Sequence, residues 1–148
     1  MPTVAVPKSF TYHTTLDNVI GRSGVAHSDI KPELRVVAPP EFKGEPGLWT
    51  PEDLFVVSVE SCLMLTFAGI AEKRGLRVVR YESSAEGLLE WLAGSYQFTR
   101  IVVQPRITVA DAASIITARE IVDRAHQTCL VANSIRTSLV IEPEIVVG

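Results

Sequence analysis

One uninterrupted stretch, TPEDLFVVSVESCLMLTFAGIAEKRGL at residues 50–76, constrains the fold more than any other part of the chain. It reads as a single long helix, apolar on nearly every side, and yet Glu52, Glu60 and Cys62 lie along it. Both of its ends are marked. Thr50 can cap it, Pro51 suits the first helical position, and Glu52 and Asp53 sit where the helix dipole favours negative charge. Asp53, three residues after Thr50, gives a shortened form of the capping box. Lys73 and Arg74 complement the C-terminal dipole, and Gly75 can close the helix in the left-handed conformation. A helix that is apolar all round is built for burial, so two carboxylates and one of only two cysteines on it call for a reason. One reason is bland: Cys62 is a small buried hydrophobe and the acids find partners. The other is that the helix forms part of an active site.

The segments around it read as strands. SFTYHTTL alternates polar and apolar residues, with Phe10, Tyr12 and His13 available to face a sheet. IGRSG sets glycines around Arg22 and Ser23, a turn that joins two strands as a hairpin. GVAHSDI and ELRVVA are the next short strands, and the prolines and glycines of APPEFKGEPGLW mark a loop. After the helix, LRVVRYESSAEGLLEWL and YQFTRIVVQPRITV pair around the turn residues Ala93, Gly94 and Ser95, with Pro105 signalling a bulge or an edge. Asp111 can cap a second helix whose apolar stripe is Ile115, Ile116, Val122 and Ala125. Cys129 opens a short separate turn of helix, and RTSLVIEPEIVV finishes as a strand. The order β-β-β-α-β-β-α-β is an α+β layout in a single domain spanning residues 1–148.

Composition narrows the function. With 47% hydrophobic and 21% charged residues the chain has the make-up of a soluble globular protein. A net charge of -3 gives no general attraction to nucleic acid or to an anionic membrane. Charge is expected to break the apolar runs short of a membrane-spanning length. The opening residues, MPTVAVPKSFTYHTT, lack the apolar core of a signal peptide, which makes a cytoplasmic location the expectation. Two cysteines are too few for a disulfide scaffold, leaving inert filler or a redox pair.

A thiol at its reference pKa of about 8.5 is only slightly ionised at neutral pH, and a cationic neighbour raises the thiolate fraction. Arginine suits this role because its planar fork can hold a thiolate and a substrate oxygen together. Arg22, set among glycines, is the most sharply positioned arginine, and Glu52 at the helix mouth is a carboxylate that can fix it. Each residue also has an ordinary explanation. Arg22 can be a solvated turn residue, and Glu52 needs no role beyond its helix terminus. His126 and Cys129 form an HxxC pair that, with Cys62, supplies only three of the four ligands a structural zinc site requires.

Taken in order, GRSG, PPEFKGEPGLWTPEDLFVVSVESC and AHQTC resemble the OsmC/Ohr family of osmotically inducible and organic hydroperoxide resistance proteins, over essentially the whole chain. The resemblance implies antiparallel sheets packed around a long buried helix in an intertwined homodimer. It implies a thiol peroxidase that needs no cofactor and no metal. By position, Cys62 matches the peroxidatic cysteine, Cys129 the resolving one, Arg22 the arginine of the Ohr branch and Glu52 the carboxylate that holds it. The partners implied are an organic hydroperoxide as substrate and a dithiol reductant of the lipoyl type, with neither nucleic acid nor membrane. Phe55, Val59 and Leu63 are expected on the substrate-binding wall. Glu52 and Cys62 are ten residues apart, about 15 Å along a helix, so a shared site would need the helix of a second chain. Three features depart from the family pattern. Leu130 follows Cys129 where proline is common; Glu60 stands where a small residue is usual and could raise the Cys62 pKa if it points inward; the loop before the helix contains no arginine. A non-enzymatic small-molecule or lipid-binding dimer and a thiol redox sensor are the alternative functions on the same fold.

Overall fold

The structure is a computed structural model that describes residues 8–18 and 20–148. The first seven residues of the segment judged for a signal peptide, MPTVAVP, lie outside the described residues. By its internal contacts the chain falls into two compact units, Met1–Glu52 and Asp53–Gly148.

The first unit is a three-stranded antiparallel sheet, β1 (Thr15–Asn18), β2 (Ser23–His27) and β3 (Leu34–Val37), in the order β1-β2-β3. The turn between β1 and β2 works as its glycines suggest: Gly21 takes φ +57°, and Ser23 N–H and Oγ both donate to Ile20 O. The strand starts later than SFTYHTTL implies. Phe10 and Tyr12 precede β1 and are exposed, so polar–apolar alternation there marks an extended segment without a sheet to face. Beyond β3, a 3-10 turn at Pro40–Phe42 folds the chain back, and Gly44 N–H donates to Pro39 O. A Cβ at Gly44 would sit 1.4 Å from the Ala38 carbonyl oxygen, which is why glycine stands there.

The second unit centres on α1 (Pro51–Lys73), which runs unbroken. Its C-terminus closes as its glycine suggests, with Gly75 at φ +67°, Leu76 N–H on Ala71 O and Gly75 N–H on Glu72 O. Against it lies the long hairpin of β4 (Val78–Leu92) and β5 (Ser95–Val109), turned by Ala93 and Gly94, both at positive φ. Then come α2 (Ser114–Thr128), a 3-10 turn at Ala132–Ser134, and the short strands β6 (Ser138–Ile141) and β7 (Glu144–Val147). Asp111 accepts the Ser114 N–H at 2.9 Å, tying down the first turn of α2.

The sheet of the second unit is mixed, not wholly antiparallel: β6 and β7 both run parallel to β5. They keep one register along its edge, Ile141 opposite Val103 and Glu144 opposite Arg106, so the expected closing strand is a single track interrupted at Glu142 and Pro143. The interruption faces Gln104 and Pro105. Pro105 is therefore neither at an edge nor in a bulge. It is buried in a central strand, and its missing N–H falls where the ladder is interrupted anyway. The register shifts at two other places, between Val78 and Arg80 and between Leu88 and Leu89, the second leaving Thr99 as the extra residue of β5. This shift reverses the alternation and brings Phe98 to the helix side, where it stacks on Phe55 at 4.8 Å. Gly87 lets α1 come close there, since a Cβ would meet Val56 Cγ2 at 2.6 Å.

The core joins a stripe of α1 (Val59, Leu63, Phe67, Ala71) to alternate residues of β5 (Ile101, Val103, Ile107, Val109) and to Ala118, Ile121, Val122 and Ala125 of α2. Ile116, expected on that last stripe, is exposed; Ala118 and Ile121 take the inward positions at helical spacing from Val122 and Ala125. Burying three large side chains of the α1 stripe contributes roughly 1.5–3 kcal/mol each. Those four residues are the ones α1 buries fully in its own chain, with Phe55 and Ile70 packed partly against the same core. Its 54–71 window has a mean hydropathy of 2.0 with Glu60 as its sole charged residue, so α1 is long and apolar enough to span a membrane. The expectation that charge interrupts such runs fails here, because Glu60 is the single charge between Asp53 and Glu72.

Candidate active site

Cys62 lies on the flank of α1, half-buried beside the core stripe, and Cys129 follows the last residue of α2 and is fully buried. Both are free thiols. Cys129 leaves the helix in an extended conformation, φ −63° and ψ 108°, and the chain then winds once more. Asn133 N–H donates to Cys129 O and Ser134 N–H to Val131 O, each at 3.0 Å. Ser134 Oγ donates to Leu130 O at 2.7 Å, and Asn133 Nδ2 to Gln127 O at 3.1 Å. With the carbonyls occupied in this way, the N–H groups at the start of the turn are presented to sulfur. Those of Val131 and Leu130 favour the thiolate of Cys62, those of Ala132 and Val131 favour that of Cys129, and each thiol shifts the ionisation of the other.

The consequences for the two thiols are opposite. Burial pushes the Cys62 thiol up, but hydrogen bonds from Val131 N–H, the Cys129 thiol, the Thr66 hydroxyl and Leu130 N–H outweigh it and hold the pKa below the ordinary cysteine value. For Cys129, burial again pushes upward; Ala132 and Val131 N–H oppose it, while the hydrogen bond and charge of Cys62 add to it, and the pKa lies above the ordinary value. The arrangement can therefore hold one ionised sulfur beside one protonated sulfur. Thr66, one turn along α1, donates its hydroxyl to Cys62 O at 2.7 Å and keeps the same oxygen 4.0 Å from Cys62 Sγ.

Glu60 points away from this site. Two residues on a helix differ by about 200° in direction, and the Glu60 carboxylate accepts the Ser83 hydroxyl of β4 at 2.6 Å. Its charge acts on Tyr81, whose phenol is pushed up to about 12 by burial first and by Glu60 second. A cavity of about 330 Å3 lies further along α1, lined by Met64, Phe67, Ala71, Leu76, Val78 and Tyr81.

Arg22 and Glu52 belong to the first unit. The Arg22 guanidinium donates to Phe42 O at 3.2 Å and borders a cavity of about 490 Å3 together with Arg35 and Lys43. Glu52 Oε2 is buried without a hydrogen-bond partner among the described residues, so an ion pair with Arg22 is not made through that oxygen. Because α1 is continuous, Glu52 and Cys62 of one chain stay about 15 Å apart along its axis. Of the residues expected to line a substrate wall, Val59 and Leu63 are 0% and 1% exposed and closed into the core, and Phe55 is partly buried against Phe98. His126 is exposed, and no three His, Cys, Asp or Glu side chains group as a metal site among the described residues. Sequence reasoning passed over Thr66 and Val131, and took up Leu130 only as a departure from the proline common in the family. Thr66 was findable, since i+4 from a cysteine on a helix is the same face; the only trace a backbone donor leaves in residue identity is the absence of proline.

The chain matches the family described as OsmC-like protein over residues 44–144. An OsmC-like protein of unknown function from Vibrio cholerae has the same fold, with a TM-score of 0.83 at 22% identity, covering 91% of this chain and 99% of that one. An organic hydroperoxide resistance protein OsmC from Legionella pneumophila superposes with a TM-score of 0.73 at 21% identity, covering 95% and 99%. The uncharacterised protein YmaD of Bacillus subtilis is 23% identical over 110 residues, 72% of this chain and 73% of YmaD.

Proposed function

The chain belongs to the OsmC-like protein family, and on that premise we propose that it is a cysteine-based peroxidase that reduces organic hydroperoxides to alcohols. The observation that carries this reading is the contact between two free thiols with opposite pKa shifts, Cys62 lowered and Cys129 raised. A low-pKa, partly accessible thiolate beside a protonated thiol is the arrangement that peroxide chemistry needs. The Cys62 thiolate attacks one oxygen of the O–O bond; the other leaves as alkoxide, takes a proton and departs as alcohol, and Cys62 becomes a sulfenic acid. Cys129 then attacks that sulfur, and the sulfenic hydroxyl leaves as water with the Cys129 proton, giving a disulfide. A dithiol reductant, itself oxidised to a disulfide, returns both thiols by exchange. The name of the Legionella relative supports the substrate class. A reducing compartment such as the cytoplasm fits two cysteines that rest as thiols.

A second copy of the chain is the proposed partner. One stripe of α1 is fully covered within its own chain and the rest of an apolar helix is only partly so, Leu65 being an exposed example. The β4–β5 hairpin also projects past β6, ending in the exposed pair Trp91 and Tyr96. A homodimer would cover such surfaces and would let Glu52, with Arg22, serve the Cys62 of the other copy. A lipid bilayer is the weaker reading, because four α1 residues already pack into a protein core. The deciding experiment measures consumption of cumene hydroperoxide and of hydrogen peroxide, with dihydrolipoamide and then thioredoxin as donors, on protein whose mass in solution is read by light scattering. The expected result is a dimer with a higher kcat/KM for the aryl hydroperoxide. Equal or better turnover of hydrogen peroxide, or no turnover of either, overturns the reading.

A further inference from the structure

The search for what holds Cys62 reactive leads to groups outside the cysteine pair itself. Thr66 lies one helical turn beyond Cys62, and its hydroxyl oxygen is shared between two acceptors on that residue: the carbonyl at 2.7 Å and Sγ at 4.0 Å. Rotation about the Cβ–Oγ bond carries the proton from the first to the second without moving a heavy atom. From the other side the turn after α2 presents its first N–H groups. That turn is pinned by Asn133 and Ser134, whose backbone and side chains take up the carbonyls of Gln127, Cys129, Leu130 and Val131. The side chain of Leu130 is 69% exposed, so what residue 130 supplies at the site is its N–H.

We infer that the Thr66 hydroxyl and the backbone N–H groups of Leu130 and Val131 form a converging donor set that stabilises and orients the Cys62 thiolate. These are positioning groups: they act on the sulfur and not on the peroxide. Their use in catalysis rests on the peroxidase reading, but their existence does not. The full set requires a residue other than proline at position 130, so it belongs to chains that, like this one, depart there from the proline common in the family. Cys129 already has the extended conformation that a following proline demands, so Leu130→Pro removes one N–H with the preceding backbone undisturbed.

The test is the pH dependence of iodoacetamide alkylation of Cys62 in the full-length chain, followed on the Cys62 peptide by mass spectrometry. Leu130→Pro and Thr66→Val should each raise the alkylation midpoint by roughly half to one pH unit, a threefold to tenfold loss of thiolate below the midpoint. Leu130→Ala, which keeps the N–H, and Thr66→Ser, which keeps the hydroxyl, should restore it. A purely structural role would lower the melting temperature without this split between conservative and non-conservative variants. If Leu130→Pro misfolds, the Thr66 pair decides alone. Midpoints that stay unchanged in folded variants overturn the donor set. The readout uses no peroxide, so it separates from the peroxidase reading: unchanged midpoints with full turnover sink the donor set only, and shifted midpoints with no turnover sink the peroxidase only.

Discussion

Cys62 and Cys129 shift each other's ionisation, but one stands half-open on the flank of a long helix and the other is sealed in the turn that follows a second helix. Both feel burial as their largest influence, and burial disfavours the thiolate at each. What separates them is the remaining balance. Cys62 receives donors from Val131, Cys129, Thr66 and Leu130, all lowering its pKa, whereas Cys129 is pushed up further by the charge of Cys62 itself. A cysteine becomes the reactive member of a pair by where the donors point, not by exposure alone. The same turn serves both, with Val131 N–H reaching each sulfur.

The sharpest way to break this comparison is to remove each sulfur in turn. Cys62→Ser should abolish reduction of cumene hydroperoxide, by roughly a thousandfold or more, since a serine hydroxyl at neutral pH is not a useful nucleophile. Cys129→Ala should still consume one equivalent of peroxide per chain and then stop, with one oxygen added to the Cys62 peptide by mass spectrometry. Equal loss of the first turnover in both variants would show the thiols to be interchangeable, and the comparison would fail.

Titration gives a smaller but more direct contrast. Alkylation requires thiolate, so a lowered pKa moves the rise of the rate to lower pH and a raised pKa moves it higher. As pH is increased in the reduced wild-type protein, Cys62 should be alkylated first, below the ordinary cysteine range, and Cys129 only above it. In Cys62→Ser the charge that opposes Cys129 is gone, so its midpoint should fall while burial keeps it elevated. Cys129→Ala should move the Cys62 midpoint upward, because one donor is lost. Coincident alkylation curves in the wild type would remove the division of labour.

How much of this was legible beforehand follows from how local each signal is. The helix at residues 50–76 is α1 to within a few residues, because its proline, glycine and charges act within a single turn of each end. The hairpin turn at Gly21 and the positive φ of Gly75 and Gly94 were readable for the same reason. Pro105 was misleading, since its tolerance depends on a break between two strands at Glu142 and Pro143, about forty residues away along the chain. Ile116 misled because a stripe can be drawn through several registers, and only packing against β5 and β7 selects Ala118 and Ile121. At the site, Cys62 stood out as a thiol on an apolar helix, its pairing with Cys129 came through the family resemblance, and nothing in composition placed the two side by side. The donors at Leu130 and Val131 are backbone atoms, and residue identity bears on them only in that neither residue is proline.

The finest prediction concerns Glu60, the acid that sits two residues from Cys62 and yet faces β4. If the Cys62 thiolate is governed by the turn after α2 and by Thr66, the nearest carboxylate in sequence should hardly matter. At about 10 Å through solvent a unit charge contributes a few tenths of a kcal/mol, so Glu60→Gln should shift the Cys62 alkylation midpoint by less than about 0.3 pH unit. The same change should be felt on the opposite face. Tyr81 ionises reluctantly because of burial and then because of the Glu60 charge, which repels a phenolate. Removing that charge must make ionisation easier, so the Tyr81 pKa should fall from about 12 while burial keeps it above the ordinary tyrosine value. Site-resolved NMR of the tyrosine rings, recorded through alkaline pH alongside the alkylation curve, reads both numbers on one protein. A large movement at Cys62 with none at Tyr81 would place the Glu60 carboxylate on the wrong side of α1, and would return the helix acids to the account of the reactive thiol.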